Sequence, residues 1–207
     1  MSSSVPVYPL CYFAPVPWFA ATMHEAHFCL SCHDPYRKQQ YSSRAFIKLP
    51  NRIFPLTIPI ERRSAHAPVA DKRIAYQQDW QRQHWRSICT AYGAAPYFDY
   101  YSDRLAAALH QRHTWLGEHL LHLHHSLCSW LHLPVNWTPS TAWVPPDAAR
   151  RDYRAAFDPS LRTLPPWFVP VPYQQVFGDF VPGLSILDLL LNVGPESRLM
   201  LQHSYRG

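Results

Sequence analysis

Glycine is scarce in this chain, at 6 of 207 residues against 21 prolines. So few glycines leave little room for a phosphate-cradling loop, and neither G-x-G-x-x-G nor G-K-[ST] occurs. The G-x-S-x-G nucleophile elbow is missing as well. No uninterrupted apolar run approaches the roughly 20 residues of a membrane helix. There is no dense run of basic residues, which argues against a nucleic-acid partner. The opening "MSSSVPVYPLCYFAPVPWFA" has no Lys or Arg, and prolines break its apolar stretch. No signal peptide is expected, and the chain reads as cytoplasmic.

What is present is a globular composition, 47% hydrophobic, with 8 Trp, 12 Tyr and 10 Phe. Such rings line pockets as readily as cores. The prolines predict extended or sharply stopped segments joined by rigid loops. A length of 207 suits one domain, and the expectation is a single mixed α/β domain over residues 1–207, a small mixed sheet packed with about five helices. The net charge of +5 is a mild bias, compatible with an anionic small molecule.

The five cysteines fall at positions 11, 29, 32, 89 and 128. An odd, scattered set is no secreted disulfide framework. "CLSCH" (Cys29 to His33) fits the spacing of a c-type haem attachment site. Covalent haem attachment in bacteria follows export, however, and a metal role would need a fourth ligand. The plainer reading is a strand or loop carrying buried thiols. Neither a cofactor nor a metal is expected.

"RAFIKLP" (44–50) and "FPLTIPI" (54–60) read as two strands of a hairpin turning at 50–52, followed by a polar loop over 62–72. Trp80, His84, Ile88 and Tyr92 recur every four residues after Asp79, and Gly93 follows, so a helix is predicted there. Further helices are predicted over 101–110 and from Thr114 to Pro134, where Leu116, Leu120, Leu123, Leu127 and Trp130 form a stripe. A strand or loop is predicted over 136–146, a short helix over 147–157 and an extended segment over 164–173. Ser185 caps a last helix, with Asp188 three residues on and Gly194 and Pro195 closing it.

The histidines of the leucine-rich helix, His119, His122, His124, His125 and His132, read mostly as a solvated face; Glu118, His122 and His125 could hold zinc, but without an H-E-x-x-H order. His84 lies in line with Trp80 and Ile88 and so is partly buried. It is either a satisfied core histidine or a general base in an aromatic site. Arg37, Lys38 and Arg44, beside Tyr36 and Tyr41, are either a surface cluster or a clamp for carboxylate or phosphate.

"DWQRQHWRSICTAYGAAPYFDYY" (79–101) resembles the Trp-Gln-x-x-His-Trp and Tyr-x-x-x-Pro-Tyr-Phe segments of the WbqC-like protein family. "YPLCYFAPVPWFA", "YRKQQYSSRAFI", "FPLTIPI" and "PYQQVFGDFVPGLSILDLLLNVGPES" are similar to that family's remaining motifs in order, over nearly the whole chain. Two departures stand out: Val7-Tyr8-Pro9 where many relatives have Gln-Pro, and Ser42-Ser43-Arg44 where they have Arg-Asn-Arg. The second implies a different substrate if that Asn binds one.

The resemblance implies a transferase of cell-surface polysaccharide (O-antigen type) biosynthesis that moves an aminoacyl or acyl group such as glycine to a sugar. The alternative is a non-catalytic module binding a glycan or sugar nucleotide in the same pathway. The matching motifs imply His84 and Asp188 as catalytic residues, with Asp188 either orienting His84 or simply capping its helix. For substrate they imply Tyr8, Tyr12, Lys38, Arg44, Tyr92, Tyr173, Gln175, Ser185 and Asn192. The expected partner is a sugar or sugar nucleotide, with no nucleic acid and no membrane span.

Overall fold

The computed structural model describes residues 5–61, 67–146, 151–159 and 163–206. Three short strands, β1 (Val7–Pro9), β2 (Phe28–Ser31) and β5 (Trp137–Pro139), pair in parallel in the order β1-β2-β5. Helix α1 (Val16–Thr22) makes the first crossover. β3 (Arg44–Leu49) and β4 (Arg52–Thr57) form the expected antiparallel hairpin, turning at Pro50 and Asn51. Helices α2 (Trp80–Tyr92), α3 (Phe98–His110), α4 (Leu116–Trp130), α5 (Ile186–Val193) and α6 (Ser197–His203) complete the regular elements, so the fold is α/β. No helix among the described residues is long and apolar enough to cross a membrane.

The structure departs from the expectations at the N-terminus first. α1 begins among prolines that predict extended or sharply stopped chain, because Pro17 occupies a first-turn position whose N–H needs no helical partner. Its buried face, Trp18, Phe19 and Ala20, packs into the one core cluster. α4 starts at Leu116 after Trp115, so Thr114 is not its cap. The segment 164–173 is irregular, as its prolines require. A 3-10 turn at Arg154–Phe157 stands in the span expected to be a short helix; residues 147–150 of that span, and 62–66 of the polar loop, lie outside the described residues.

The largest correction concerns the histidines of α4. His119 and His124 are buried in the core, not on a solvated face. His124 sits edge-on to Trp18, 5.0 Å between ring centroids, and against Phe19 and Trp137. His119 lies over Trp80 and beside Tyr12, and neither of its ring nitrogens has a hydrogen-bond partner among the described residues. The leucine stripe is therefore wider than its leucines, with imidazoles serving as flat aromatic filler.

Burial disfavours the imidazolium, pulling His119 and His124 down to about 3 and His84 to about 4. The unfolded chain binds these protons near pH 6.5 and the folded chain does not until pH 4 or 3. This stabilisation is complete above pH 6.5 and is lost as pH falls toward 4, by about 1.4 kcal/mol per pH unit for each imidazole. Urea unfolding of His119→Phe should therefore show a gain over the wild type that is about 2 kcal/mol larger at pH 5 than at pH 8. Equal gains at the two pH values would show that His119 is not held neutral.

Candidate functional site

α2 carries His84 because Asp79 caps its N-terminus, accepting from the Arg82 N–H, and Trp80, His84, Ile88 and Tyr92 then face inward. The Nδ1 atom of His84 is 2.9 Å from the Tyr12 hydroxyl. Trp80 stands edge-on to the ring, and the backbone of Thr57 at the end of β4 is its other polar neighbour. His84 thus joins α2, the segment after β1 and the hairpin, as a neutral and buried imidazole.

Asp188 occupies a different place. Ser185 begins α5: its Oγ accepts from the Leu187 N–H at 3.3 Å and donates to the Phe13 carbonyl at 3.0 Å. The Asp188 carboxylate does not turn back to close a capping box. It accepts from the Tyr173 hydroxyl at 2.6 Å and from Gln175 Nε2 at 2.7 Å. Gln175 in turn fills every hydrogen-bonding position of its amide. Nε2 also donates to the Val181 carbonyl, while Oε1 accepts from the Val181 N–H and from Lys48 Nζ. Lys48 reaches the Asp179 carbonyl as well, and Asn192 donates to the Asp188 carbonyl.

Burial pushes Asp188 above the usual carboxylate range, opposed by the bonds from Tyr173 and Gln175. Burial and the nearby Asp188 charge hold Tyr92 far above its ordinary value. The structure thus brings together Tyr92, Tyr173, Gln175, Asp188 and Asn192, with Ser185 at the head of the same helix. It does not set Asp188 against His84.

The remaining expected site residues are dispersed. The Tyr8 hydroxyl donates to Glu25, which holds Arg151, and its ring stacks on Tyr153 at 4.6 Å. Arg44 donates across the hairpin to Thr57 Oγ1, and Lys38 is exposed. Cys29 lies on β2 and Cys32 just beyond it, and no disulfide joins them. Among the described residues no group of three His, Cys, Asp or Glu side chains is arranged to hold a metal ion.

The large recess lies elsewhere, at the carboxyl ends of β1 and β2. It has a volume of about 800 Å³ and is lined by Leu10 and Cys11 after β1, by Ser31 and Asp34 at and after β2, and by Tyr41, Trp143 and Phe157 among others. Ligands of open α/β sheets bind on this side of the strands. The segment at Asp152 bridges Val7 in parallel, which brings Arg154 to the same rim. Arg154 Nη1 donates to Asp34 at 2.6 Å and to the Val144 carbonyl at 2.8 Å, and Nε donates to Asp152 at 2.9 Å. Gln40 donates to Asp158 at 3.3 Å. Burial raises the Cys11 thiol far above its ordinary value and Tyr41 to about 12, so both stay protonated.

Sequence reasoning missed Asp34, Asp152, Arg154 and Asp158. The available signal was "RRDYRAAFD" (150–158), a dense alternation of charge in a proline-rich and aromatic chain.

The model of the WbqC-like protein family matches residues 11–157 and 166–199. That span includes Cys11, Asp34, Asp152 and Arg154 of the recess and Asp188 of the buried cluster. A protein of Mycobacterium tuberculosis (strain ATCC 25618 / H37Rv), "Uncharacterized protein Rv1507c", is similar at 28% identity over 190 residues, 78% of this chain and 81% of the relative. No solved structure matches at a significant level.

The geometry of the Asp188 cluster makes it a clasp between the segment 173–181 and α5. Asp188→Ala leaves two donors unpaired in the interior and should lower the unfolding free energy by about 3 kcal/mol. Tyr173→Phe, which removes one donor and leaves the acceptor its other bond, should lower it by about 1 kcal/mol. Chemical denaturation checks both, and a loss under 1 kcal/mol for Asp188→Ala would remove the clasp.

Proposed function

We propose that this chain, which belongs to the WbqC-like protein family, is a cytoplasmic transferase of cell-surface polysaccharide assembly and holds its sugar substrate in the 800 Å³ recess. The observation that carries this reading is the recess itself. It opens on the carboxyl side of a parallel sheet and has a size suited to small-molecule ligands. Rings line it, and a guanidinium fixes two carboxylates at its rim. Sugars are recognised by that combination: ring faces stack on aromatic planes, and hydroxyls bond to fixed carboxylates and amides.

In this reading a wall carboxylate takes the proton from the acceptor's attacking hydroxyl or amine. The acceptor oxygen or nitrogen bonds to the carbonyl carbon of the acyl or aminoacyl group, and the donor's leaving group departs with the bonding electrons. His84 serves the frame: its bond to Tyr12 sets the segment that continues from β1, and a site that stays neutral down to pH 4 is poorly matched to a base working near pH 7. Asp188, Tyr173, Gln175 and Asn192 hold the C-terminal segment in place.

A second reading is favoured by the chemistry of the recess. Its one thiol, Cys11, is held protonated, and the Ser31 hydroxyl has no base beside it among the described residues. With Cys11 protonated and Ser31 lacking a base among the described residues, the recess also suits a module that binds a glycan or sugar nucleotide without turnover.

Ligand-detected NMR of the full chain with methyl glycosides and sugar nucleotides tests the location. Trp143→Ala should weaken binding about fivefold through loss of one stacking face, while Arg44→Ala and Lys38→Ala should leave it unchanged. Binding untouched by Trp143→Ala and lost in Arg44→Ala would move the site out of the recess. Product formation on prolonged incubation with an acyl donor separates the transferase from the module.

A further inference from the structure

We propose that Ser31 is the specificity-determining residue of the recess: its hydroxyl pairs with one hydroxyl of the bound sugar, so that the matching deoxy sugar is rejected. The inference rests on the reading that the recess is the substrate site, and it deepens that reading by naming the group that selects the ligand. Ser31 ends β2 on the wall of the recess and is 1% exposed, yet its hydroxyl has no hydrogen-bond partner among the described residues. Strand pairing supplies none. Its register partner on β1 is Pro9, which has no N–H to donate. The Pro9 carbonyl already accepts from Trp18 Nε1 at 3.0 Å and from the Cys11 thiol at 3.5 Å, so both of its lone pairs are taken. The Leu10 N–H, next along the chain, is spent on the Ser31 carbonyl.

A buried hydroxyl without a partner costs free energy in the empty protein, and a bound polar group recovers it. Which group fits is set by the hydrogen-bond inventory. Serine offers one O–H donor and two lone pairs, and a sugar hydroxyl offers the same, so each can serve the other in either direction. Pro9, Leu10 and Phe157 line the same recess, and apolar walls strengthen a hydrogen bond made among them. Such a site discriminates sharply, because an analogue lacking the hydroxyl leaves the protein's own group unpaired.

A second observation separates affinity from choice. Trp143 also lines the recess and leaves 53% of its surface exposed. An indole face of that extent holds a sugar ring by stacking, which reads the ring face and not a single hydroxyl. Stacking on Trp143 supplies affinity, and Ser31 supplies selectivity. Stability and selectivity therefore move in opposite directions at one atom. Ser31→Ala removes the unpartnered hydroxyl, so the free protein should melt about 2 to 4 °C higher. A hydroxyl held for structural reasons would shift the melt downwards.

Ligand-detected NMR titration of the full chain with methyl glucoside and its 2-, 3-, 4- and 6-deoxy counterparts reads the selectivity. One deoxy probe should bind the wild type at least about tenfold more weakly than methyl glucoside. In Ser31→Ala that gap should close to less than about twofold, while Trp143→Ala should weaken every probe alike. With binding still weakened by Trp143→Ala, three results would overturn the Ser31 assignment and keep the recess as the site. These are a gap that persists in Ser31→Ala, equal binding of all probes by the wild type, and a lower melting temperature for Ser31→Ala. Binding indifferent to Trp143→Ala, or no binding at all, would overturn the recess reading and this inference with it.

Discussion

The guanidinium of Arg154 is the point at which three distant stretches of chain are tied. It reaches Asp34 beyond the end of β2, the carbonyl of Val144 beyond β5, and Asp152 beside β1. Each strand of the sheet is three or four residues long, too short to fix its neighbours by ladder bonds alone. A planar, permanently charged fork that satisfies acceptors in several directions supplies the missing constraint. It is also partly buried, so its ion pairs are less screened than surface ones, and removing it would leave two carboxylates facing each other.

The protein separates its polar interior into two unlike regions. Around Asp188 every hydrogen-bonding position of the Gln175 amide is matched, leaving that side chain no capacity for a ligand. Around the recess the match is incomplete, since the buried Ser31 hydroxyl has no hydrogen-bond partner among the described residues. A completed network resists change and specifies a fold; an incomplete one beside a cavity is where a bound molecule gains free energy.

The long amphipathic elements were legible because periodicity is a local property. The four-residue spacing from Trp80 to Tyr92 placed α2 within one residue of its ends, and the leucines from Leu116 placed the start of α4 within two residues and its end within four. The hairpin of β3 and β4 was legible for the same reason. What stayed hidden was non-local. β1, β2 and β5 pair across gaps of about 20 and 110 residues, and nothing in a three-residue strand announces its partner. His119 and His124 were misplaced because a scale that treats histidine as polar cannot foresee a cage of Trp18, Trp80 and Trp137.

The family motifs raise a related point about what a recognisable sequence pattern marks. The segment from Pro172 to Ser197 is one of the motifs that carry the family resemblance, and the structure spends it on Tyr173, Gln175, Asp188 and Asn192, which bond to one another and to Lys48. Such a group tolerates few substitutions for reasons of satisfaction alone, since losing any member orphans another in the interior. The recess imposes looser demands: a carboxylate or a ring can come from more than one position on its wall. A strong motif therefore points first to the clasp that holds the frame. In the proposed reading the residues that meet the ligand belong to the less regular stretches at 31–42, 143–146 and 151–158, where strand ends and loops converge.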